Sequence, residues 1–330
     1  MGDKFIVVGS NSFTGSHFVR RLLRKGHDVL AISRSDQLDQ VYLAYSDISD
    51  KKKFKFEKIN INTDTKHLRM SISSFQPNYI VNFAAQSMVG QSWESPLDWF
   101  NTNVLGTIGL IDIAKDLSSL SLFVQISTPE VYGSVMYPVK EDQIFNPSTP
   151  YAVSRASSDM YLHALGKATN FPFLITRSSN VYGPGQRLYR LIPKLITKIR
   201  KGEKFQLEGD GSSLRSFLYI DDVTSGIIKA INLGSPGHTF HFSTNEQVSI
   251  VSMVKKICHY MGVDFEKNVE YVPDRVGKDM VYDLNSSKAN KLLNWNPKIS
   301  LMQGIKETAS WIENNYDILS THTDTYIHKR

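Results

Sequence analysis

Short apolar segments alternate with helical patterns through the first half of the chain. Stretches such as SHFVRRLLRKG (16–26) have helical periodicity and close on Gly26. The apolar segments between them are typical of buried strands: KFIVV (4–8), DVLAIS (28–33), YIVNFAA (79–85), LFVQIS (122–127) and FLITRSS (173–179). This alternation predicts an α/β fold, in which a doubly wound parallel sheet is covered by helices on both faces.

The alternation weakens after Val181, where YGPGQ (182–186) interrupts the pattern. We therefore predict that residues 1–180 form the main domain and that residues 181–330 form a smaller C-terminal α/β domain for the substrate. The segment FLYIDDVTSGIIKAI (217–231) again resembles the main domain. A return to the main sheet over residues 217–245 is expected, which makes the domain boundary discontinuous.

Composition excludes several classes of protein. The 330 residues are 41% hydrophobic and 21% charged, which is ordinary for a globular protein. The net charge of +6 fits an anionic ligand, but the basic residues are dispersed, so no nucleic-acid partner is predicted. One cysteine, Cys258, excludes an internal disulfide framework and favours a reducing compartment, here the cytoplasm. No apolar run approaches the roughly 18 residues of a membrane span.

The N-terminal sequence VVGSNSFTGSHFVRRLL reads as a strand, a glycine-bounded turn and a helix. Backbone amides at such a turn, together with the helix N-terminus, can bind a pyrophosphate. Ser12 stands where a middle glycine would ease the approach of a ligand. The context predicts a Rossmann-type dinucleotide site whose turn comprises Gly9, Asn11, Ser12, Phe13, Thr14 and Gly15.

The end of the second strand bears on the choice of cofactor. An NAD site uses an acidic residue near this point to bind the ribose hydroxyls. Asp28 is too early and Asp36 lies beyond the tip, whereas Arg34 offers a guanidinium suited to a 2′-phosphate. The sequence therefore favours NADP over NAD.

The segment from Gln125 to Tyr161 carries the candidate chemistry. Tyr151 can remove a hydroxyl proton if Arg155, four residues on and on the same helix face, stabilises the phenolate. Thr128 can hold the same hydroxyl. Glu130 adds an acid-base group that a simple alcohol dehydrogenase does not need, which suggests elimination as well as oxidation.

These motifs resemble the extended short-chain dehydrogenase/reductase superfamily, in particular its nucleotide-sugar 4,6-dehydratases. NFAAQSMVGQSWESP (82–96) is similar to the GDP-mannose 4,6-dehydratases. Four other segments resemble the dTDP-glucose 4,6-dehydratases: SSNVYGPG, RLIPKLI, LRSFLYIDDV and VPDRVGKDMVYDLNSSK. STPEVYGS with STPYAVSR also resembles bacterial dehydratases of GDP-N-acetylglucosamine.

The resemblance implies that C4 of a hexose is oxidised, water is eliminated across C5 and C6, and hydride returns to C6. Tyr151 and Thr128 would act at the C4 hydroxyl, and Glu130 at the C5 proton. Two departures stand out. Pro129 occupies the position of an acid in the dTDP-glucose enzymes, so Glu130 would also protonate the leaving hydroxyl. Arg155 replaces a lysine and cannot serve as a proton relay.

The resemblance also implies the remaining contacts. The sugar pyrophosphate of a GDP- or dTDP-hexose would meet Asn180, Arg190, Arg215 and Arg275, with Ser87 at the sugar end. Further predicted cofactor contacts are Asn60, Ile61, Phe83, Ala84, Ala85, Gln86 and Ser178, with Tyr151 and Arg155. A homodimer is implied, formed through the helical patterns at 98–115 and 152–167. No metal site is predicted.

Two other readings stay open. A sugar-nucleotide epimerase, reductase or decarboxylase could use the same scaffold, although a simple 4-epimerase does not need the C5 base that Glu130 offers. A non-catalytic dinucleotide-binding protein is the more remote alternative, favoured by Ser12, Pro129 and Arg155.

Overall fold

The structure is a computed structural model that describes residues 2–50, 52–274 and 279–329. The main sheet has seven strands, all parallel, in the order β10-β6-β5-β4-β1-β2-β3. Its strands are β1 (Lys4–Val8), β2 (Asp28–Ser33), β3 (Phe54–Lys58), β4 (Tyr79–Asn82), β5 (Leu122–Ser127), β6 (Phe173–Ser178) and β10 (Thr239–Phe242). The predicted doubly wound parallel sheet is confirmed.

Helices cover both faces of this sheet and continue beyond it. They are α1 (Phe13–Arg24), α2 (Thr65–Phe75), α3 (Gln91–Glu94), α4 (Pro96–Phe100), α5 (Thr107–Ala114), α6 (Pro150–Thr169), α7 (Leu191–Arg200), α8 (Ile220–Leu233), α9 (Ile250–Tyr260), α10 (Phe265–Asn268), α11 (Ser287–Leu293), α12 (Leu301–Asn314) and α13 (Tyr316–Leu319). A π-helical turn, Asn101–Gly106, joins α4 to α5. Within the described ranges, no helix has the length and apolar character needed to cross a membrane.

The strands follow the apolar segments closely, with one shorter than expected. The segment 79–85 ends as a strand at Asn82, because the Asn82 side chain accepts a hydrogen bond from the Ala84 amide at 3.1 Å and turns the chain. The basic segment around Phe54–Lys58 forms the sheet edge β3. Strand β10 enters the sheet at the opposite edge, beside β6.

The second half of the chain builds two small sheets beside the main one. Strands β7 (Asn180–Tyr182), β9 (Leu214–Tyr219) and β11 (Gln247–Ser249) form one, and β8 (Phe205–Glu208) pairs with β12 (Val269–Val272) in the other. Helices α7, α9 and α12 pack over them around a separate apolar core. Helix α8 instead packs on α1 and against the main sheet.

Two apolar cores flank the main sheet, as expected for strands buried on both faces. Alternate residues of β1 divide between them: Phe5 and Val7 face one core, and Ile6 and Val8 face the other. All four side chains are at most 2% exposed. The carboxyl ends of the strands are therefore held rigidly, at the edge where open parallel sheets bind their ligands.

Candidate active site

A large cavity lies at the carboxyl ends of the main-sheet strands. Its volume is about 1260 Å³, more than the roughly 300–1,000 Å³ typical of a site for one small ligand. One wall is formed by the glycine turn after β1, and the opposite wall by the segment that leads into α7. The space can hold a dinucleotide and a second ligand together.

The glycine turn has the close geometry that a pyrophosphate site requires. Gly9 has φ +82°, and a Cβ at this position would lie 2.6 Å from the Ala84 amide nitrogen. At Gly15 a Cβ would collide with the Gly9 carbonyl oxygen. Only glycine fits at these two positions, so the turn brings the start of α1 against the cavity.

Ser12 stands at the position of the middle glycine, and helix α1 still begins directly after it. It is the N-cap of α1, and its hydroxyl accepts a hydrogen bond from the Gly15 amide at 3.1 Å. Asn11 ties the turn to the end of β2, since its amide group donates to the Ser35 and Asp36 carbonyls. The weakened glycine motif is therefore compatible with a formed dinucleotide site, and Phe13 and Thr14 also line the cavity.

The other predicted cofactor residues lie on the same side of the cavity, with one exception. The lining includes Arg34, Asn60, Ile61, Phe83, Ala84, Ala85 and Ser178. Gln86 is buried outside the lining, and its side chain donates to the Lys329 carbonyl at 2.7 Å. The structure thus joins Gln86 to the C-terminal residues of the chain.

The four predicted catalytic residues meet where β5 and α6 converge, and we call them the catalytic floor: Thr128, Glu130, Tyr151 and Arg155. Thr128 directly follows β5 and caps the 3₁₀ turn Pro129–Tyr132, which contains Glu130. Thr149 caps α6 and places Tyr151 in its first turn. Pro129 and Pro150 each stand at the first helical position, where the fixed φ of proline favours the turn. Pro129 therefore has a structural role at the start of this turn.

Tyr151 is electrostatically linked to the other three floor residues. Burial raises the pKa of its hydroxyl, and the Glu130 carboxylate raises it further. Arg155 and a hydrogen bond with Thr128 act in the opposite direction and partly offset the increase in pKa. The hydroxyl is therefore protonated in this structure at neutral pH, and further positive charge at the site would favour its ionisation.

Arg155 is only 1% exposed, and one of its two terminal guanidinium nitrogens already has a hydrogen-bond partner. Nη2 donates to the Ile126 carbonyl at the end of β5, whereas Nη1 is buried without a hydrogen-bond partner among the described residues. An orphaned donor at the cavity wall matches a hydroxyl-bearing ligand such as a ribose. The arginine can thus supply charge and a hydrogen bond, but no transferable proton.

The predicted substrate residues lie on the far side of the floor. Arg190 Nη2 donates to Ser87 Oγ at 3.2 Å, which joins two of them across the cavity. Arg215 lies over the Tyr282 ring at 4.2 Å, and its guanidinium donates to the Asp279 and Met280 carbonyls. Asn180 also lines the cavity, whereas Arg275 lies outside the described residues.

Several cavity residues had not been singled out from the sequence. Tyr282 lines the cavity, donates to Asp279 at 2.8 Å, and has its pKa raised by burial and by Glu130. Asp39 lies on the cofactor side, six residues after β2. Residues 321–329 form part of the wall as well. Tyr282 lies within VPDRVGKDMVYDLNSSK, a motif already noted for its resemblance. In the last segment, threonine stands at every second position from Thr321 to Thr325, and this period of two is typical of an extended chain.

Comparison with known proteins decides the family. Residues 6–308 match the model of the family described as GDP-mannose 4,6 dehydratase. The chain belongs to this family. It is 31% identical to the Homo sapiens dTDP-D-glucose 4,6-dehydratase over 323 residues, which cover 95% of this chain and 91% of that protein.

Solved structures agree with this placement. DesIV, a dTDP-glucose 4,6-dehydratase from Streptomyces venezuelae crystallised with NAD, aligns with a TM-score of 0.89 at 29% identity, covering 96% of this chain and 98% of that one. A UDP-glucuronic acid 4-epimerase from Bacillus cereus aligns with a TM-score of 0.85 at 27% identity, covering 95% and 100%.

These findings confirm the predicted superfamily and the assignment to the nucleotide-sugar 4,6-dehydratases, which are hydro-lyases that use a dinucleotide. The epimerase alternative fits less well, because an epimerase of this scaffold does not require the carboxylate of Glu130. The individual roles of the site residues stay predictions.

Proposed function

We propose that the protein removes water from C5 and C6 of a nucleotide-linked hexose and yields the 4-keto-6-deoxy sugar. The observation that carries the proposal is that Glu130 lines the same cavity as Tyr151 and is close enough to influence the pKa of its hydroxyl. A base for C4 and a base for C5 therefore face one ligand. The dinucleotide supplies reversible hydride acceptance at this site.

Each floor residue has a task that matches its surroundings. Tyr151 takes the C4 hydroxyl proton, and the charge of Arg155 and the hydrogen bond of Thr128 stabilise the phenolate. The resulting ketone acidifies the C5 proton, which Glu130 removes. Because Pro129 carries no proton, Glu130 then donates to the hydroxyl that leaves C6 as water. The hydride lost from C4 would return to C6, and C5 gains a proton that balances the one Tyr151 took from the C4 hydroxyl.

The test separates the two bases. Glu130→Gln should retain C4 oxidation and fail at elimination, so reduced nicotinamide accumulates with a 4-keto sugar that keeps its C6 oxygen. Tyr151→Phe should produce no reduced nicotinamide. Both are followed by nicotinamide absorbance and by the mass of the sugar product, using a panel of dTDP-, UDP-, CDP- and GDP-hexoses. Release of a 4-keto-6-deoxy product by Glu130→Gln at the wild-type rate would refute the mechanism.

For the cofactor we propose NADP, with Arg34 as the ligand of its 2′-phosphate. Arg34 follows β2, lines the cavity and is partly buried, so an anion there would be poorly screened by solvent. Asp36 does not line the cavity, and its exposed carboxylate pairs with Lys58 at 2.7 Å. Asp39 is the feature that favours NAD, since its carboxylate could accept ribose hydroxyls.

The proposed substrate is a GDP- or dTDP-hexose. Arg190 and Arg215 face the cavity, and guanidinium groups suit a diphosphate. Ser87, Asn180 and Arg275 complete the proposed set. A cytoplasmic location fits this substrate class and the single buried cysteine.

We also propose a homodimer. Helices α4 and α6 pack side by side, and apolar side chains remain on their outer faces. Leu97 is 74% exposed, Leu105 63% and Met160 58%. A second copy of the same surface would cover them and form a four-helix interface. A monomeric mass by light scattering at micromolar concentration would contradict the dimer.

A further inference from the structure

The last residues of the chain form an extended segment along the mouth of the cavity. In residues 321–329, every second residue is partly buried and those between are exposed. This period of two is that of an extended chain with one side against the protein. The partly buried residues are His322, Asp324, Tyr326 and His328, and we call the segment the C-terminal strap.

All four partly buried residues have partners outside the strap, and two of these partners, Tyr42 and Tyr189, line the cavity. His322 contacts the Tyr42 hydroxyl at 3.0 Å, and Asp324 pairs with Lys198 of α7 at 3.2 Å. Tyr326 packs edge-on against Tyr189, with 5.3 Å between ring centroids. The strap therefore contacts both the main-sheet side and the substrate side of the cavity.

The end of the strap is held most firmly. The His328 ring is 2.7 Å from the Asp98 carboxylate and stacks on the fully buried Trp99 at 5.0 Å. The adjacent Lys329 carbonyl accepts from Gln86. These contacts explain why Gln86, although predicted for the cofactor, lies outside the cavity lining.

The path of the strap follows from the sheet order. It starts beside Tyr42, after β2, and ends beside Gln86, after β4. Since β1 lies between β2 and β4 in the sheet, a segment that joins these two points spans the cavity near the carboxyl end of β1, which precedes the glycine turn. The cavity measures about 1260 Å³ with the strap in place, and strap residues are part of its lining, so the segment bounds the space.

We infer that the C-terminal strap retains the dinucleotide, an inference that rests on the proposed function. A dehydratase regenerates its cofactor in every cycle, so slow cofactor release does not limit turnover. The sugar nucleotide must still exchange in each cycle. A strap anchored along the cavity mouth satisfies the first need, because the dinucleotide does not leave while the anchors hold.

The test measures cofactor release in the full-length protein and in variants. The probes are NADPH and NADH, whose fluorescence reports release into an excess of oxidised dinucleotide. Truncation after Ser320 should accelerate release by about 10- to 100-fold, the effect of losing several anchors together. His328→Ala should accelerate it by about tenfold, since one charge-assisted contact is lost.

Controls separate anchoring from general damage. Ile318→Ala changes an exposed residue just before the strap that does not line the cavity, and it should release the probes at the wild-type rate. Asp98→Ala should match His328→Ala, and the double variant should be no faster than either, because both remove one interaction. Additive effects, or an equal effect of Ile318→Ala, would contradict the assigned anchor.

Failure of this inference and failure of the dehydratase assignment give different results. Unchanged release after truncation would overturn the inference even if turnover is normal, and slower release would show that the strap obstructs the site. Faster release in a protein that dehydrates no nucleotide sugar would overturn the proposed function alone.

Discussion

The catalytic floor and the C-terminal strap face the same cavity but are built differently. Tyr151 and Arg155 are at most 8% exposed, and they project from a 20-residue helix packed on the sheet. The strap has no regular secondary structure after Leu319 and is held by a few side-chain contacts. The difference teaches that the predicted catalytic residues are held by buried packing, whereas the strap depends on a few partly exposed contacts, which require less free energy to break.

A buried ion pair beneath the catalytic floor adds to the rigidity of the floor. Asp159 of α6 accepts from Arg177 of β6 at 2.8 Å and from Ser127 of β5 at 2.6 Å, with the ion pair fully buried. This network fixes α6 to the two strands directly below Tyr151. The strap has no comparable buried pair among the described residues, since its ion pairs are all partly exposed.

The largest expected effect falls on the floor. Loss of a general acid-base group costs about 10²- to 10⁴-fold in rate, so Tyr151→Phe should lower kcat by this amount and accelerate cofactor release less than the truncation does. Truncation of the strap should instead accelerate cofactor release and change kcat little. If Tyr151→Phe released the cofactor as fast as the truncated protein, the division of labour between floor and strap would be wrong.

A smaller effect is expected where the main domain meets the start of the second half. His17 of α1 lies 2.9 Å from the Pro184 carbonyl, and burial lowers its pKa to about 4. The nearby charges of Arg20 and Arg21 act in the same direction, and Asp221 opposes them. Neutral His17 therefore contributes stability above pH 6.5, and this contribution is lost as the pH falls towards 4.

Between pH 7.5 and pH 5 the loss amounts to about 2 kcal/mol of unfolding free energy. It is measured by urea denaturation of the wild type and of His17→Gln, which keeps an amide donor for Pro184. The variant should lose less stability over this range. Since buried His241 also has a lowered pKa, only the difference between the two proteins reports His17. Equal slopes for both would contradict the assignment.

The smallest expected effect concerns Arg34, which is fixed by β2 but lies in the electrostatic field of Tyr326 of the strap. Arg34→Ala should weaken NADP binding by about tenfold, through loss of a charge-assisted phosphate contact, and change NAD binding little. Dissociation constants for both dinucleotides decide the point. Equal weakening would assign Arg34 to a structural role and favour Asp39 as the ribose ligand.

Local patterns were sufficient for much of the site. Thr128, Glu130, Tyr151 and Arg155 were identified because their motifs combine chemistry with turn signals, and the structure brings all four together. Gln86 shows what local sequence patterns cannot predict. Its position after β4 suggested a cofactor contact, but its partner is Lys329, 243 residues away in the chain. No local pattern encodes a contact over that separation.

The sequence by itself determined the strand and helix alternation, the glycine turn and the residues that form the floor, because these depend on residue periodicity and on side chains a few positions apart. Tertiary structure decided the rest. Only the contacts with Tyr42 and Gln86 place the strap along the cavity, and only packing shows that one nitrogen of the Arg155 guanidinium already has a partner. Such features arise from contacts between distant segments, whose pairing the fold alone specifies.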